Sequence, residues 1–316
     1  MDKFHIKKVS EVDEDKLSEF YQNSFKQRNS NNYDSSWRYR LGFNNYEPLV
    51  IEIDRKIRGH AGLIANKLKL KDEIKTGIWF TDFYIDKKYR SLGYGKLLTK
   101  AWMEICPIQI TLCNESSLKI FKKLDWSYNN KFIKKLKIHN FLNFIPVLQK
   151  SYFSEIKTNN LGNLKLQEID DKTIYNLAYE SEKSLSKKNF GIVRDENWFK
   201  WRLLDCPYKK NILVFRHDNN YILTSVKVKK RFKILNIIYS SKPVTKSILY
   251  NFDNFIKNNK INFISFISRS NTLLNIDLPW RRKLNFACYA EKMSEKDFIN
   301  QNFDDLQFID GDMDFI

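Results

Sequence analysis

Arg90, Gly93 and Gly95 stand in the run Thr81-Asp82-Phe83-Tyr84-Ile85-Asp86-Lys87-Lys88-Tyr89-Arg90-Ser91-Leu92-Gly93-Tyr94-Gly95-Lys96, and their types and spacing suit the binding of a diphosphate. Glycines at the mouth of a helix let a ligand approach the backbone with no Cβ in the way. The first amides of a helix lack intrahelical partners and sit at the positive end of its dipole, so they converge on an anion. Here those amides belong to Ser91, Leu92, Gly93, Tyr94, Gly95 and Lys96, with Arg90 or Lys96 adding charge.

Such a loop needs a strand before it and a helix after it. Alternating apolar residues from Gly77 to Ile85 predict the strand, and an amphipathic run to about Ile105 predicts the helix. Around them the first half reads as strand Phe4–Val9, helix Asp13–Phe25, a Trp/Arg-rich segment, and strands Leu49–Ile53 and Ile57–Leu70. A strand near Ile108–Leu112, a helix Ser116–Leu124 and a strand Phe132–Ile138 complete it. This alternation predicts an α/β architecture with a mixed sheet.

From Leu164 the order restarts. Strand Leu164–Ile169 and helix Lys172–Leu185 lead to Trp198-Phe199-Lys200-Trp201-Arg202-Leu203 and the strand Ile212–Phe215. That pairing echoes Trp37-Arg38-Tyr39-Arg40-Leu41 ahead of Leu49-Val50-Ile51. Strands Tyr221–Lys227, Ile234–Tyr239 and Phe263–Ile267 and a helix Thr245–Asn258 follow. No Arg-x-x-Gly-x-Gly occurs here, and the cognate position, Ser240–Thr245, holds Lys242 and Pro243. The expected organisation is 1–138 with the ligand loop, 139–160 as a packed apolar connector, and 161–316 as a second copy without the loop. The alternative for the last part is an unrelated α/β domain.

The loop and a second segment together resemble the GCN5-related N-acetyltransferases (GNAT), over about Phe4 to Lys137. Arg90, Gly93 and Gly95 match the family's acyl-CoA loop. The segment Asn114-Glu115-Ser116-Ser117-Leu118-Lys119-Ile120-Phe121-Lys122-Lys123-Leu124-Asp125-Trp126 is similar to the Asn-x-x-Ala…Tyr…Gly-Phe stretch that flanks the pantetheine arm. Asp82-Phe83-Tyr84-Ile85 is also similar to the corresponding strand of polyamine acetyltransferases. The resemblance implies a tandem GNAT-like acyl-CoA N-acyltransferase fold. It implies acetyl-CoA as donor co-substrate, held by the loop, by Phe83 and Ile85 on a splayed strand, and by Asn114, Ser117 and Phe121. It further implies direct attack of a neutral amine on the thioester. Asp82 would bind the ammonium or take its proton, Tyr84 would act as a substitute acid, and His60 is next in line as base.

The pattern departs from the family at named positions. Phe121 replaces a tyrosine that protonates the leaving thiolate, and a phenyl ring has no proton to give. Asp125 replaces the glycine after the fourth helix, and Trp79 and Thr81 stand where relatives carry a catalytic glutamate. In the second half, Arg282-Lys283-Leu284-Asn285-Phe286 looks like the family's Leu-Gly-Phe turn with Asn for Gly.

Composition narrows the alternatives. The 316 residues suffice for two cores, and 15% aromatic content argues against a disordered chain. Cys106, Cys113, Cys206 and Cys288 form no Cys-x-x-Cys pair, and His5, His60, His139 and His217 lack ligand spacing, so no metal is expected. Neither an apolar leader nor a spanning run occurs, so a cytoplasmic location without membrane contact is expected. The net charge of +18 comes from lysines spread over nearly every segment. It implies a general attraction for anions and no specific nucleic acid. The expected activity is N-acetyltransfer to a small-molecule amine or amino sugar. Two other readings stand beside it: an aminoacyl-tRNA-dependent peptidyltransferase of related tandem fold, and a non-catalytic CoA-binding protein.

Overall fold

The first half of the chain begins with strand β1 (Phe4–Lys8), helix α1 (Glu14–Ser24), the short helix α2 (Ser35–Arg38) and strand β2 (Leu49–Ile53). A long hairpin follows, β3 (Lys56–Leu70) and β4 (Glu73–Ile85), then helix α3 (Tyr94–Met103), β5 (Ile108–Cys113), α4 (Glu115–Lys123) and β6 (Ser127–Ile138). The coordinates are a computed structural model and describe residues 4–25, 35–41, 46–138, 156–159, 161–207, 209, 212–229, 232–269 and 280–303. Most of the 139–160 connector lies outside the described residues.

The second half runs β7 (Lys165–Gln167), α5 (Asp171–Leu185), β8 (Phe190–Ile192), α6 (Glu196–Phe199) and β9 (Ile212–His217). It continues with β10 (Asn220–Lys229), β11 (Phe232–Ser240), α7 (Lys246–Asn251), α8 (Asp253–Asn258), β12 (Phe263–Arg269), β13 (Trp280–Ala290) and α9 (Met293–Asn302). The chain divides into two units that are interleaved in sequence. One comprises Met1–Asn129 with Asn285–Phe303, the other Asn130–Leu284 with Asp304–Ile316.

In the first unit, β1, β2, β3 and β4 pair antiparallel in that order. β4 then pairs parallel with β5, and β5 pairs antiparallel with β13 from Asn285↔Cys113 to Ala290↔Ile108. Both faces of this sheet are covered. Ile51, Leu63, Phe80, Leu98, Trp102 and Phe121 form the core under α3 and α4. Val9, Phe20, Tyr21, Tyr39, Val50 and Ile57 form a second core under α1. Asp13 starts α1 by accepting from the Lys16 amide at 3.1 Å, and Asn114 starts α4 by accepting from the Ser117 amide at 2.9 Å.

The second unit repeats this strand order. β7, β9, β10 and β11 pair antiparallel, β11 and β12 parallel, and β12 antiparallel with residues 132–138 of β6. Phe215, Leu235, Leu249, Phe252, Phe255 and Ile264 fill its core.

Three local readings change. The strand expected from Gly77 starts at Glu73, because it pairs back to Leu70 across a turn that places Lys71 at φ +56°. The helix expected over Thr245–Asn258 is two helices, interrupted at the buried Phe252. The segment 282–286 lies within strand β13 instead of forming a turn, and from Asn285 onward it pairs with β5.

Candidate functional site

β4 pairs with β5 only from Ile78↔Gln109 to Phe80↔Thr111. Beyond Phe80 the two strands part, and Thr111 Oγ1 donates to Phe80 O at 2.8 Å where they separate. The edge of β4 from Thr81 to Ile85 therefore faces away from β3 with no β5 partner. On its other side, β4 carries a bulge: His60 pairs with Tyr84 and Gly62 with Thr81, so two residues of β4 oppose one of β3. Asp82, in that bulge, takes the left-handed φ of +52°.

The loop after β4 places its glycines for two different reasons. Asp86 accepts from the Lys88 amide at 3.3 Å and starts the tight turn Lys87–Tyr89. Gly93 precedes α3 at φ +89°, and a Cβ there would meet nothing within 4 Å. It is a conformational glycine facing open space. Gly95 is different: a Cβ would stand 3.2 Å from Ile120 Cδ1 and 3.4 Å from Phe83 Cζ, so it allows α3 to approach α4 and β4.

The amides of Ser91, Leu92 and Gly93 have no acceptor among the described residues, whereas the Lys96 amide donates to Gly93 O at 3.0 Å. Arg90 is tied inward, its Nε donating to Ile85 O at 2.8 Å and its guanidinium lying over the Tyr84 ring. Lys96 is exposed. Exposed amides at a helix start, beside an unpaired strand edge, can hold an extended ligand with an anionic end.

Asp82 is buried. Arg38 Nε and Nη2 donate to its two carboxylate oxygens at 2.5 and 3.0 Å, and Tyr39 Oη donates to Oδ2 at 2.9 Å. Thr81 Oγ1 lies 3.4 Å from Oδ1. The carboxylate thus anchors the Trp37–Arg40 turn against β4. His60 is fully buried, with Nδ1 3.0 Å from Asp82 O and Nε2 3.1 Å from Tyr21 Oη. Aromatic rings of Phe20, Tyr21, Phe25 and Tyr39 surround it. Arg38 and Tyr39 were not singled out as site residues from the sequence; the aromatic–Arg–Leu unit was the signal that held them.

Tyr84 turns to the opposite face from Phe83 and Ile85. Phe83 and Ile85 pack with the α3–α4 core, while Tyr84 packs against Phe20 and Phe25. Tyr84 also lines a cavity of about 310 Å³ between α1 and the start of β3. Of the α4 residues, Asn114 and Ser117 meet in the helix cap. Phe121 is 1% exposed, stacked on Trp126 at 4.5 Å and edge-on to Phe80 at 5.6 Å. Asp125 does take the left-handed conformation of the glycine it replaces, at φ +59°, and Lys296 Nζ donates to its carboxylate at 2.7 Å. Burial pushes the Cys113 thiol up to about 12, with nearby Glu115 adding to the effect.

At the matching place in the second unit the loop amide is already engaged. Asn220 Oδ1 accepts from the Lys242 amide at 3.0 Å, from Ser241 Oγ at 2.9 Å and from Ser240 Oγ at 3.3 Å. Among the described residues, no group of three His, Cys, Asp or Glu could hold a metal ion, and no helix is long and apolar enough to cross a membrane.

Residues 12–126 match the model of the acetyltransferase (GNAT) family. No curated protein matches the chain in sequence. Among solved structures, a GCN5-related N-acetyltransferase from Kribbella flavida is similar with a TM-score of 0.61 and 10% identity, over 91% of this chain and 72% of that one. One from Anabaena variabilis gives 0.57 and 13%, over 93% and 74%. Saccharomyces cerevisiae N-myristoyltransferase with bound myristoyl-CoA gives 0.58 and 10%, over 90% and 82%. At these identities the likeness is one of fold: a mixed α/β acyltransferase fold.

Proposed function

Because residues 12–126 match the model of the acetyltransferase (GNAT) family, we propose that the chain transfers the acyl group of acetyl-CoA directly to the amine of a small molecule or amino sugar. The observation that carries this reading is the parting of β4 from β5 beyond Phe80, beside the free amides that precede α3. The thioester arm would lie along the unpaired edge at Phe83 and Ile85, and the diphosphate at Ser91, Leu92 and Gly93. Asn114 and Ser117 would flank the arm from the start of α4. The second unit, whose loop is closed by Asn220, would bind no CoA.

In this reading the amine approaches from the α1 face, where Tyr84 lines the cavity. Asp82 is a positioning residue, since its carboxylate is spent on Arg38 and Tyr39. The neutral amine forms the C–N bond as the C–S bond breaks, the electron pair leaves on the CoA sulfur, and the proton that the nitrogen must lose to become an amide passes to solvent water. Phe121 offers that sulfur no proton, so it departs as a thiolate, which is a far better leaving group than an alkoxide. The protonated state of Cys113 at neutral pH supports direct transfer over an acyl-cysteine relay.

The test is release of free CoA thiol from acetyl-CoA over a panel of amines, with intact-protein mass spectrometry as the control for bound donor. The likeness to an N-myristoyltransferase makes chain length the first variable, so acetyl-, octanoyl- and myristoyl-CoA are compared. Turnover fastest with acetyl-CoA supports the reading; turnover only with myristoyl-CoA moves the donor to a long-chain acyl-CoA.

A further inference from the structure

The cavity beside Tyr84 has a charged rim on an apolar floor. Phe20 and Ile57 are buried beneath it, while Lys16 and Glu19 of α1 and Arg55 and Lys56 of the β2–β3 hairpin stand exposed around it. Arg58 and Asp86, also at the cavity, neutralise one another at 3.1 Å. Lys16, Arg55 and Lys56 therefore face a single acid, Glu19, and form no ion pair among the described residues.

Arg55 is costly to keep where it is. Ile53 pairs with Lys56, so Asp54 and Arg55 are the two turn residues, and both are left-handed, at φ +51° and +62°. Two-residue hairpins of this kind favour glycine at the second position, and a long side chain there is conformationally disfavoured. Left-handed turn residues recur in this chain, Lys71 and Lys260 among them, so Arg55 gains its meaning from standing with Lys16 and Lys56 at one cavity rim.

We propose that this cavity selects the acceptor, and that the acceptor is an amine bearing one carboxylate or phosphate group, with its anion held by Lys16, Arg55 and Lys56 and its apolar body against Phe20, Ile57 and Tyr84. The inference rests on the acyltransferase reading and names the substrate class of that site. The volume of about 310 Å³ suits a molecule the size of a phosphorylated sugar. Three cations at the rim repel a polyamine, although the Asp82–Ile85 strand is similar to that of polyamine acetyltransferases.

The test is calorimetry on the full chain saturated with CoA, using glucosamine against glucosamine 6-phosphate, tyramine against tyrosine, and spermidine. At least one member that carries the carboxylate or phosphate binds tenfold or more tighter than its partner lacking that group, and spermidine binds weakest. Which pair shows the preference distinguishes phosphate from carboxylate. In the Arg55→Gly/Lys56→Ala variant the preference falls below threefold while the Kd for CoA stays within twofold. Arg55→Gly alone leaves Tm unchanged or raised, because glycine relieves the turn. Equal binding within both pairs, no binding of any anionic probe, or tightest binding of spermidine overturns the inference. So does loss of CoA affinity in the double variant, which would assign the cations to the nucleotide's own phosphate. Failure of the unmodified chain to bind CoA is a different result: it overturns the acyltransferase reading, and this inference with it.

Discussion

Arg38 grips Asp82 through two hydrogen bonds across 44 residues of sequence, at 2.5 and 3.0 Å, with the two side chains only 6% and 1% exposed. Breaking such a pair from one side strands a buried charge, which costs roughly 3–5 kcal/mol. Asp82→Asn is expected to lower Tm by about 10 °C, given ~2–4 °C per kcal/mol for a cooperative unit of roughly 150–250 residues. It should also lower kcat/KM at least about tenfold by loosening the bulge beside the unpaired edge of β4. Thermal melts of Asp82→Asn and of Arg38→Met/Asp82→Asn check this, and the double variant is expected to recover part of the lost stability.

Phe121→Tyr would restore the hydroxyl that the family resemblance places at this position. The ring is in the core against Trp126 and Phe80, so the hydroxyl would be buried without a partner. A buried unsatisfied hydroxyl costs roughly 1–3 kcal/mol. Lower Tm with no gain in turnover is expected; a rise in kcat would show that Phe121 reaches the leaving sulfur.

Cys113 titrates at about 12 instead of the ordinary 9.0, because burial disfavours its thiolate. The raised value leaves it protonated through neutral pH, with about a thousandfold less thiolate at pH 8 than an ordinary cysteine. Slow alkylation by iodoacetamide at pH 8, accelerating only as pH rises toward that value, and no acetyl mass on Cys113 after incubation with acetyl-CoA are the expected readings from peptide mass spectrometry.

A chain cut after Ile138 lacks the residues 285–290 that pair with β5. Its β5 then presents an open edge lined by Ile108 and Ile110, which invites edge-to-edge association. Insolubility of this piece, relieved when a peptide covering β13 and α9 is supplied during refolding, is expected.

Much of the architecture was legible because strands and amphipathic helices repeat with periods that survive in sequence, and because an Arg-x-x-Gly-x-Gly loop needs a strand before it and a helix after it. The fold class and element order follow from those signals. What stayed hidden depends on long-range pairing. Nothing local says that Asn285 meets Cys113, that Arg38 meets Asp82, or that His60 is enclosed by four aromatic rings. The two glycines of the loop look equivalent in sequence, yet Gly93 faces open space and Gly95 faces Ile120. The bulge at Asp82 is likewise a property of two strands together, and it decides which way Tyr84 points.

Acetyl-CoA titration by calorimetry, on the unmodified chain and on Gly93→Ala, tests the central claim most directly. Gly93 sits at φ +89° with open space before it, and an alanine there bears a left-handed penalty of roughly 1–2 kcal/mol. One acetyl-CoA bound per chain, weakened at least about tenfold in Gly93→Ala while the chain stays folded, is the predicted result. No binding to the unmodified chain, or two molecules per chain with Gly93→Ala unaffected, would contradict it.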